Sequence, residues 1–224
     1  MRWFADFVYP QFCLGCRRLA RGGLCRICLE ALPRLGLSTC RLCGHPSAAQ
    51  LGTCRECRGH NFQFDEALQT VAFTGVVREA IHRFKYSGEA SRAGPLALLA
   101  ASAVRGKGTI TWIPADPARL HERGLDHCRA LAEAVAALTG LPAGPLLERV
   151  RSTPPQIELT PAQRRHNQAG AFRARLPPPP EVIVVDDVFT TGSTVSEAAR
   201  ALKAGGAAKV FVACVARTLS PRVP

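Results

Sequence analysis

The amino-acid sequence predicts an α/β domain built on a parallel sheet and preceded by a small cysteine-rich module that binds metal. Eight of the ten cysteines fall before residue 58, in four Cys-x-x-Cys pairs. From Asn61 onward, apolar runs alternate with helical patterns, which is typical of an α/β domain. The apolar run 182–185 is β-branched throughout, as expected for a strand buried on both faces of a parallel sheet. In a chain of 224 residues we place the two units at 1–60 and 61–224.

The cysteine pairs are predicted to bind two structural zinc ions, each held by four sulfurs. A two-residue gap lets both sulfurs of a pair face one ion, at about 2.3 Å each for zinc. The predicted ligands are Cys13, Cys16, Cys25, Cys28, Cys40, Cys43, Cys54 and Cys57. The spacing fits two successive zinc ribbons, and it also fits a cross-braced pairing of the first pair with the third and the second with the fourth. Sites of this kind leave no position open for a catalytic water.

Disulfide bonds and redox-active pairs are the alternatives to zinc. Asp6 interrupts an N-terminal apolar stretch that is already too short for a secretion signal, so a cytoplasmic chain with reduced thiols is expected. Four regular pairs also exceed what a redox motif needs. No apolar run approaches the roughly 20 residues that cross a bilayer, so we expect no membrane insertion. Two further cysteines, Cys128 and Cys214, are interpreted as small buried hydrophobic residues.

Beyond the cysteine-rich module, hydrophobic periodicity predicts the order of the helices and strands. The predicted strands cover 67–73, 109–113 and 182–185, and the predicted helices cover 76–84, 93–104, 125–138 and 195–204. We expect the third of these helices to stop at Gly140. The stretch 142–180 shows little periodicity, and such a segment inside a compact domain is usually functional or mobile.

The segment that follows the run 182–185 carries the strongest functional signal. Two acids, Asp186 and Asp187, stand where the strand is predicted to end. A small turn rich in hydroxyl groups comes next, formed by Thr190, Thr191, Gly192, Ser193 and Thr194. Its hydroxyl and N–H groups would point at one spot over the positive end of a helix, as in a phosphate cradle. The acids repel phosphate but suit ribose hydroxyls, so the segment predicts a site for a phosphorylated ribose.

Two alternative interpretations of this segment fit less well. A Walker A loop needs Gly-Lys followed by Ser or Thr, whereas Gly106-Lys107 is followed by Gly108. An ordinary strand–turn–helix with capping residues accounts for one acid or one hydroxyl. Capping alone does not account for two adjacent acids followed by the five small residues at 190–194.

The segment 182–194 resembles the PRPP (phosphoribosyl pyrophosphate) motif of type I phosphoribosyltransferases. Further motifs narrow the resemblance to the ComF family of bacterial competence-associated proteins. They are Phe84-Lys85-Tyr86, Arg119-Leu120-His121-Glu122-Arg123-Gly124, Pro155-Gln156 and Arg164-Arg165-His166-Asn167, together with the double zinc ribbon. The resemblance covers nearly the whole chain and implies a type I phosphoribosyltransferase-like parallel sheet flanked by helices. The chain departs from the family pattern at Leu125-Asp126-His127, where Phe-Asn-Gln is usual.

The resemblance also implies roles for the acids and the turn. Residues 190–194 would hold the 5-phosphate of PRPP. Asp186 and Asp187 would hold the ribose 2- and 3-hydroxyls, and magnesium would accompany the PRPP. Lys85 is a further candidate, either for a phosphate contact or as a favourable charge at a helix end.

The remaining implied site residues are basic. Arg119, Arg123 and Gly124 would face the pyrophosphate, because charge that develops on a leaving group needs preorganised cations. Arg164 and Arg165 would belong to a lid over the reacting centre and, with the two acids, would form the catalytic set.

Two hypotheses for the function fit the sequence. In the first, implied by the resemblance, the protein is a phosphoribosyltransferase with an unidentified acceptor. Glutamine-dependent amidotransfer is disfavoured, because the first cysteine, Cys13, belongs to a predicted zinc pair. In the second, a non-catalytic module binds nucleotide, single-stranded DNA or protein. It would assist a DNA-translocating helicase and recombination mediators in natural transformation.

The composition gives one observation for and one against binding of single-stranded DNA. The formal net charge of +12 favours a polyanionic partner. The aromatic content of 6%, however, limits the stacking surfaces that binders of single-stranded DNA use. We favour a PRPP-binding domain with a role in DNA uptake.

Overall fold

The computed structural model describes residues 12–20, 23–36, 38–47, 54–86, 92–151 and 169–219. The helices are α1 (Arg26–Glu30), α2 (Gly75–Tyr86), α3 (Ala93–Ala101), α4 (Pro117–Arg123), α5 (His127–Thr139) and α6 (Ser193–Ala204), with a 3₁₀ turn at Arg55–Cys57. The strands are β1 (Glu66–Ala72), β2 (Thr109–Trp112), β3 (Leu147–Arg149), β4 (Phe172–Ala174), β5 (Glu181–Phe189) and β6 (Lys209–Arg217). None of the helices in this part of the chain is long and apolar enough to span a bilayer.

Four parallel strands form the central sheet, in the order β1-β6-β5-β2. The branched residues at 182–185 of β5 are fully buried between the neighbouring strands and helices. This arrangement confirms the predicted parallel sheet with flanking helices. Because the strands are parallel, their carboxyl ends lie at one edge of the sheet, where α/β proteins bind their ligands.

Each face of the sheet has its own hydrophobic core, because successive strand residues point to opposite faces. Ile183 of β5 belongs to the core that α2, α3 and α5 complete. Val184, the next residue, belongs to the opposite core, which α6 and the β3–β4 pair complete. The strand therefore joins two separately packed halves of the domain.

The cysteine-rich segment contributes to both cores. Leu14 and Leu24, near the first two cysteine pairs, pack in the core that contains α2. Arg83 of α2 also donates to the carbonyl oxygen of Leu14. The last two cysteine pairs lie in the opposite core with Phe64 and Phe189. The cysteine-rich segment and the sheet therefore share apolar contacts, and the folding of each depends on the other.

Several features differ from the sequence predictions, and three of them bear on the candidate site and its surroundings. The stretch 142–180 contains an antiparallel pair, β3 with β4, whose three-residue strands are too short to show a period of two. Helix α4 was not predicted, although Asp116 caps it by accepting from the N–H of Ala118 at 3.1 Å. The strand β5 runs on to Phe189 because it stays paired with β6. Asp186 and Asp187 therefore lie inside the strand, not beyond its end.

Candidate functional site

The eight predicted zinc ligands form two groups of four in order along the chain. Cys13, Cys16, Cys25 and Cys28 make the first group, and Cys40, Cys43, Cys54 and Cys57 make the second. Within each group the sulfur atoms lie within 4.8 Å of one another. The structure thus shows the sequential pairing and not the cross-braced one. We call the two groups with their loops the first and second ribbon.

The sulfur–sulfur distances fit zinc. Four sulfurs at 2.3 Å from a tetrahedral ion are about 3.8 Å apart, whereas a disulfide bond is only about 2.05 Å long. The sulfurs of Cys16 and Cys25 are 3.6 Å apart, and so are those of Cys43 and Cys54. Burial raises the pKa of the Cys13 thiol, but backbone N–H groups that donate to its sulfur outweigh burial and lower the pKa to about 6, whereas burial and the neighbouring sulfurs raise the pKa of Cys28 in the same group. The residues therefore suit two zinc ions, each held by four cysteine sulfurs.

Asp187 is buried at the carboxyl edge of the sheet, where it meets side chains from two helices. Its Oδ2 lies 2.7 Å from Nζ of Lys85, in the last turn of α2, and 3.3 Å from Nε2 of His127, the first residue of α5. Burial raises the pKa of Asp187, but the charge of Lys85 and the contact with His127 outweigh burial and hold the pKa below its ordinary value. Burial likewise lowers the pKa of Lys85, and the charge of Asp187 reverses this effect. The two groups form a buried ion pair.

Asp186 has a different environment from its neighbour. Its Oδ1 accepts from the Cys128 thiol at 3.4 Å and from the backbone N–H of Asp187 at 2.9 Å. Burial and the charge of Asp187 raise the pKa of Asp186 to about 6. Burial and the same two carboxylates raise the pKa of Cys128, so its thiol stays protonated and donates. Cys128 is buried as predicted, but it also has a polar contact that the sequence did not indicate.

Residues 190–194, which we call the hydroxyl turn, connect β5 to α6. Gly192 caps α6 with a φ of 75°. The hydroxyl oxygens of Thr191 and Ser193 are 2.9 Å apart, and the N–H of Ser193 donates to Thr191 Oγ1 at 3.4 Å. A cavity of about 340 Å³ borders the turn, and its other lining residues include 59–63, which follow the second ribbon, and the ion pair of Glu197 and Arg200 on α6. Hydroxyl groups and the positive end of a helix at one cavity suit a phosphate group.

Replacing Gly192 with alanine is expected to distort the hydroxyl turn. A positive φ costs an L-residue about 1 kcal/mol. An added Cβ would also lie 2.5 Å from Cζ of Phe189 and 2.9 Å from Cε1 of Phe62. We expect the free energy of unfolding, measured with urea, to fall by about 2 kcal/mol or more, because packed rings must shift.

Gly140→Ala is the matched control for this prediction. Gly140 has a similar φ of 71°, but an added Cβ meets nothing within 4 Å. The control should lose only the cost of the left-handed backbone, about 1 kcal/mol. Equal losses for the two variants would show that the rings do not constrain the turn.

The roles of the four predicted arginines stay predictions. Arg119 and Arg123 belong to α4, but their side chains are outside the described part of the structure. Arg164 and Arg165 lie outside the described residues altogether. Gly124 ends α4 with a φ of 67°.

His127 is the functional candidate that the sequence reasoning missed. Asp126 caps α5 by accepting from the N–H of Arg129 at 3.0 Å. The residue after this cap, His127, then faces Asp187 across the edge of the sheet. A signal was present, because Asp126 and His127 stand where the chain departs from the family pattern.

Comparison with known domains agrees with this architecture. A double zinc ribbon domain matches residues 4–58, and a phosphoribosyl transferase domain matches residues 128–224. The chain is also similar to the solved glutamine PRPP amidotransferase from B. subtilis, with 22% identity, a TM-score of 0.38 and coverage of 56% of this chain and 26% of that one. With its parallel sheet and two cysteine groups, this is a protein of the phosphoribosyltransferase-like fold with an N-terminal double zinc ribbon.

Whole-chain relatives narrow this class to a family. The DNA utilization protein YhgH of Salmonella typhimurium is 32% identical, over 94% of this chain and 98% of the relative. YhgH of Escherichia coli K12 is 29% identical over the same shares. Competence protein F of Haemophilus influenzae is 27% identical, over 92% of this chain and 96% of the relative. The chain belongs to the ComF family.

Proposed function

We propose that this protein binds PRPP, or a related phosphorylated ribose, where β5 meets α6. The observation that carries the proposal is the acid pair in β5, a half-buried Asp186 and a buried Asp187, with the hydroxyl turn directly after the end of the strand. The acids offer acceptors to sugar hydroxyls, and the turn offers donors to a phosphate. The match of residues 128–224 to a phosphoribosyl transferase domain supports the proposal.

The two acids have different tasks in this proposal. Asp187 is already paired with Lys85, so its main contribution is to hold that cation at the edge of the sheet. Asp186 faces a neutral thiol and keeps acceptor capacity for the ribose hydroxyls. Magnesium bound with PRPP would supply positive charge for the pyrophosphate.

We further propose transfer of the phosphoribosyl group to an acceptor that is still to be identified. In this reaction the C–O bond between the sugar and the pyrophosphate breaks, the pyrophosphate leaves with the electron pair, and the acceptor bonds to the same carbon. Lys85 would attract the developing negative charge, together with Arg119 and Arg123. Incubation with PRPP, magnesium and a panel of bases and amines tests this step. Pyrophosphate release identifies an enzyme, and its absence despite PRPP binding identifies a binding module.

A role in handling incoming DNA is the second half of the proposal. It is supported by the names of the relatives, a DNA utilization protein and a competence protein. The net charge of +12 is compatible with a polyanionic partner. A DNA-translocating helicase, recombination mediators and single-stranded DNA are the partners to examine.

Replacing Asp186 with asparagine is expected to weaken PRPP binding strongly. Asparagine keeps the size of the side chain and one acceptor for the Cys128 thiol, but it loses the charge and one acceptor for ribose. We expect the dissociation constant, measured by calorimetry with magnesium, to rise about 30-fold or more, as for one charge-assisted hydrogen bond. Unchanged affinity would remove the ribose assignment.

Two controls accompany this measurement. Glu133→Gln removes an exposed acid that pairs with Arg129 on the surface of α5, and it should leave the affinity unchanged. Wild-type affinity should fall as the pH falls through about 6, because Asp186 then becomes protonated. PRPP has phosphates that also titrate, so the Asp186 contribution is the difference between wild type and Asp186→Asn.

A further inference from the structure

Arg217, the last residue of β6, is a buried cation on the side of the sheet that carries the second ribbon. The residue is only 4% exposed. Its Nη1 donates to the backbone carbonyl of Cys43, a ligand of the second ribbon. The carbon of its guanidinium group lies 4.8 Å from the centre of the Phe189 ring. Arg217 therefore contacts both the second ribbon and Phe189, the last residue of β5.

The Phe189 ring in turn supports the hydroxyl turn. Its Cζ lies close to Gly192, because a methyl group added at Gly192 would be only 2.5 Å from this atom. Phe62 and Phe64, from the segment after the second ribbon, meet the same ring edge-on at 6.2 Å and 5.9 Å between ring centres. Any displacement of the Phe189 ring must move the backbone of the turn, because close-packed groups cannot shift independently.

Backbone hydrogen bonds fix the strand ends around this contact. The carbonyl of Arg217 accepts from the N–H of Phe73 at 2.7 Å, and the carbonyl of Phe189 accepts from the N–H of Thr218 at 3.0 Å. The second ribbon is itself attached to the sheet through the N–H of Ala67, which donates to Leu42 at 3.0 Å. These hydrogen bonds hold the backbone of the strand ends and of the second ribbon in place. The side chain that connects the second ribbon to the Phe189 ring is therefore the guanidinium group of Arg217.

We propose that Arg217 is a positioning residue that couples the zinc-bound state of the second ribbon to the shape of the hydroxyl turn. Zinc would hold the loop that contains Cys43, the Cys43 carbonyl orients the guanidinium group, and that group packs over the Phe189 ring, whose Cζ lies against Gly192. A planar group with several donors can contact a carbonyl at its edge and a ring on its face at once, which an ammonium group cannot. The inference rests on the proposed function only where it concerns phosphate binding.

The test compares Arg217→Lys with Arg173→Lys in the zinc-loaded full chain. Arg173 pairs with Glu148 on the surface, where its side chain is 71% exposed, so its variant is the control. We expect Arg217→Lys to keep two zinc ions and to show faster hydrogen exchange of the backbone amides at 189–196, by about tenfold or more, as for one lost hydrogen bond to a charged group. The amides of α5 should exchange at the wild-type rate. The control should match wild type in both regions.

Three results would overturn the coupling. They are unchanged exchange at 189–196 in Arg217→Lys, an equal increase in α5, and unchanged exchange at 189–196 when the second zinc ion is removed from wild type. A second variant, Phe189→Leu, keeps the bond between Arg217 and Cys43 but removes the ring, and it should loosen the same amides with both zinc ions retained.

Ligand binding separates this inference from the proposed function. If wild type binds PRPP, Arg217→Lys should raise the dissociation constant about tenfold, because the turn is no longer held in its binding shape. Failure of wild type to bind PRPP would count against the proposed function, while the exchange result would still decide the coupling. Unchanged PRPP affinity in Arg217→Lys would contradict the coupling alone.

Discussion

Replacing Cys40 with serine is expected to reduce the zinc content from two ions per chain to one and to unfold the second ribbon. Cys40 is 2% exposed and belongs to the hydrophobic core that contains Phe64 and Phe189. A structural zinc site contributes on the order of 10 kcal/mol to folding, comparable with the whole stability of a typical domain. Metal analysis of the purified variant measures the zinc, and thermal unfolding measures the loss of stability.

Cys214→Ala is the matched control for the zinc prediction. Cys214 is also a buried cysteine of the same core, but it belongs to β6 and to neither ribbon. Its replacement should leave two zinc ions bound and cost about 1 kcal/mol for the lost side-chain atoms. A Cys40→Ser protein that still holds two ions, or a Cys214→Ala protein that holds one, would contradict the assignment of ligands.

The zinc ligands could be predicted from the sequence because their chemistry is local. Two cysteines with a two-residue gap approach one ion whatever the rest of the chain does. Which pairs share an ion is a different question, because the gaps between pairs allow both arrangements. The structure answers it through tertiary contacts, since the first ribbon packs with α2 and the second with Phe64 and β5.

The same division holds for the proposed phosphoribosyl site. The run 182–185, the acids and the hydroxyl turn lie within one strand and one helix start, so the sequence was sufficient to predict them. Lys85 and His127 are far from Asp187 in the sequence, and they reach it only because α2 ends and α5 begins at the same edge of the sheet. A contact between such distant residues follows from the topology and has no local pattern. The β3–β4 pair was missed for the same reason, because its register depends on a partner more than twenty residues away.

Replacing Lys85 with methionine is expected to destabilise the protein by about 3 kcal/mol, because it leaves a buried carboxylate without its cation. The side chain of Asp187 is 7% exposed and that of Lys85 is 27% exposed, so water replaces little of the lost interaction. The pKa of Asp187 should rise in this variant, since Lys85 is the main cause of its low value. Urea unfolding of the zinc-loaded protein near neutral pH measures the effect.

Lys203→Met and the double variant Lys85→Met with Asp187→Asn complete the experiment. Lys203 pairs with Asp65 at 3.0 Å, but both side chains are about one-third exposed, so its loss should cost no more than about 1 kcal/mol. The double variant should lose less than the sum of its single variants, because neither charge is then left buried alone. Equal losses for Lys85→Met and Lys203→Met would mean that the ion pair does not stabilise the fold.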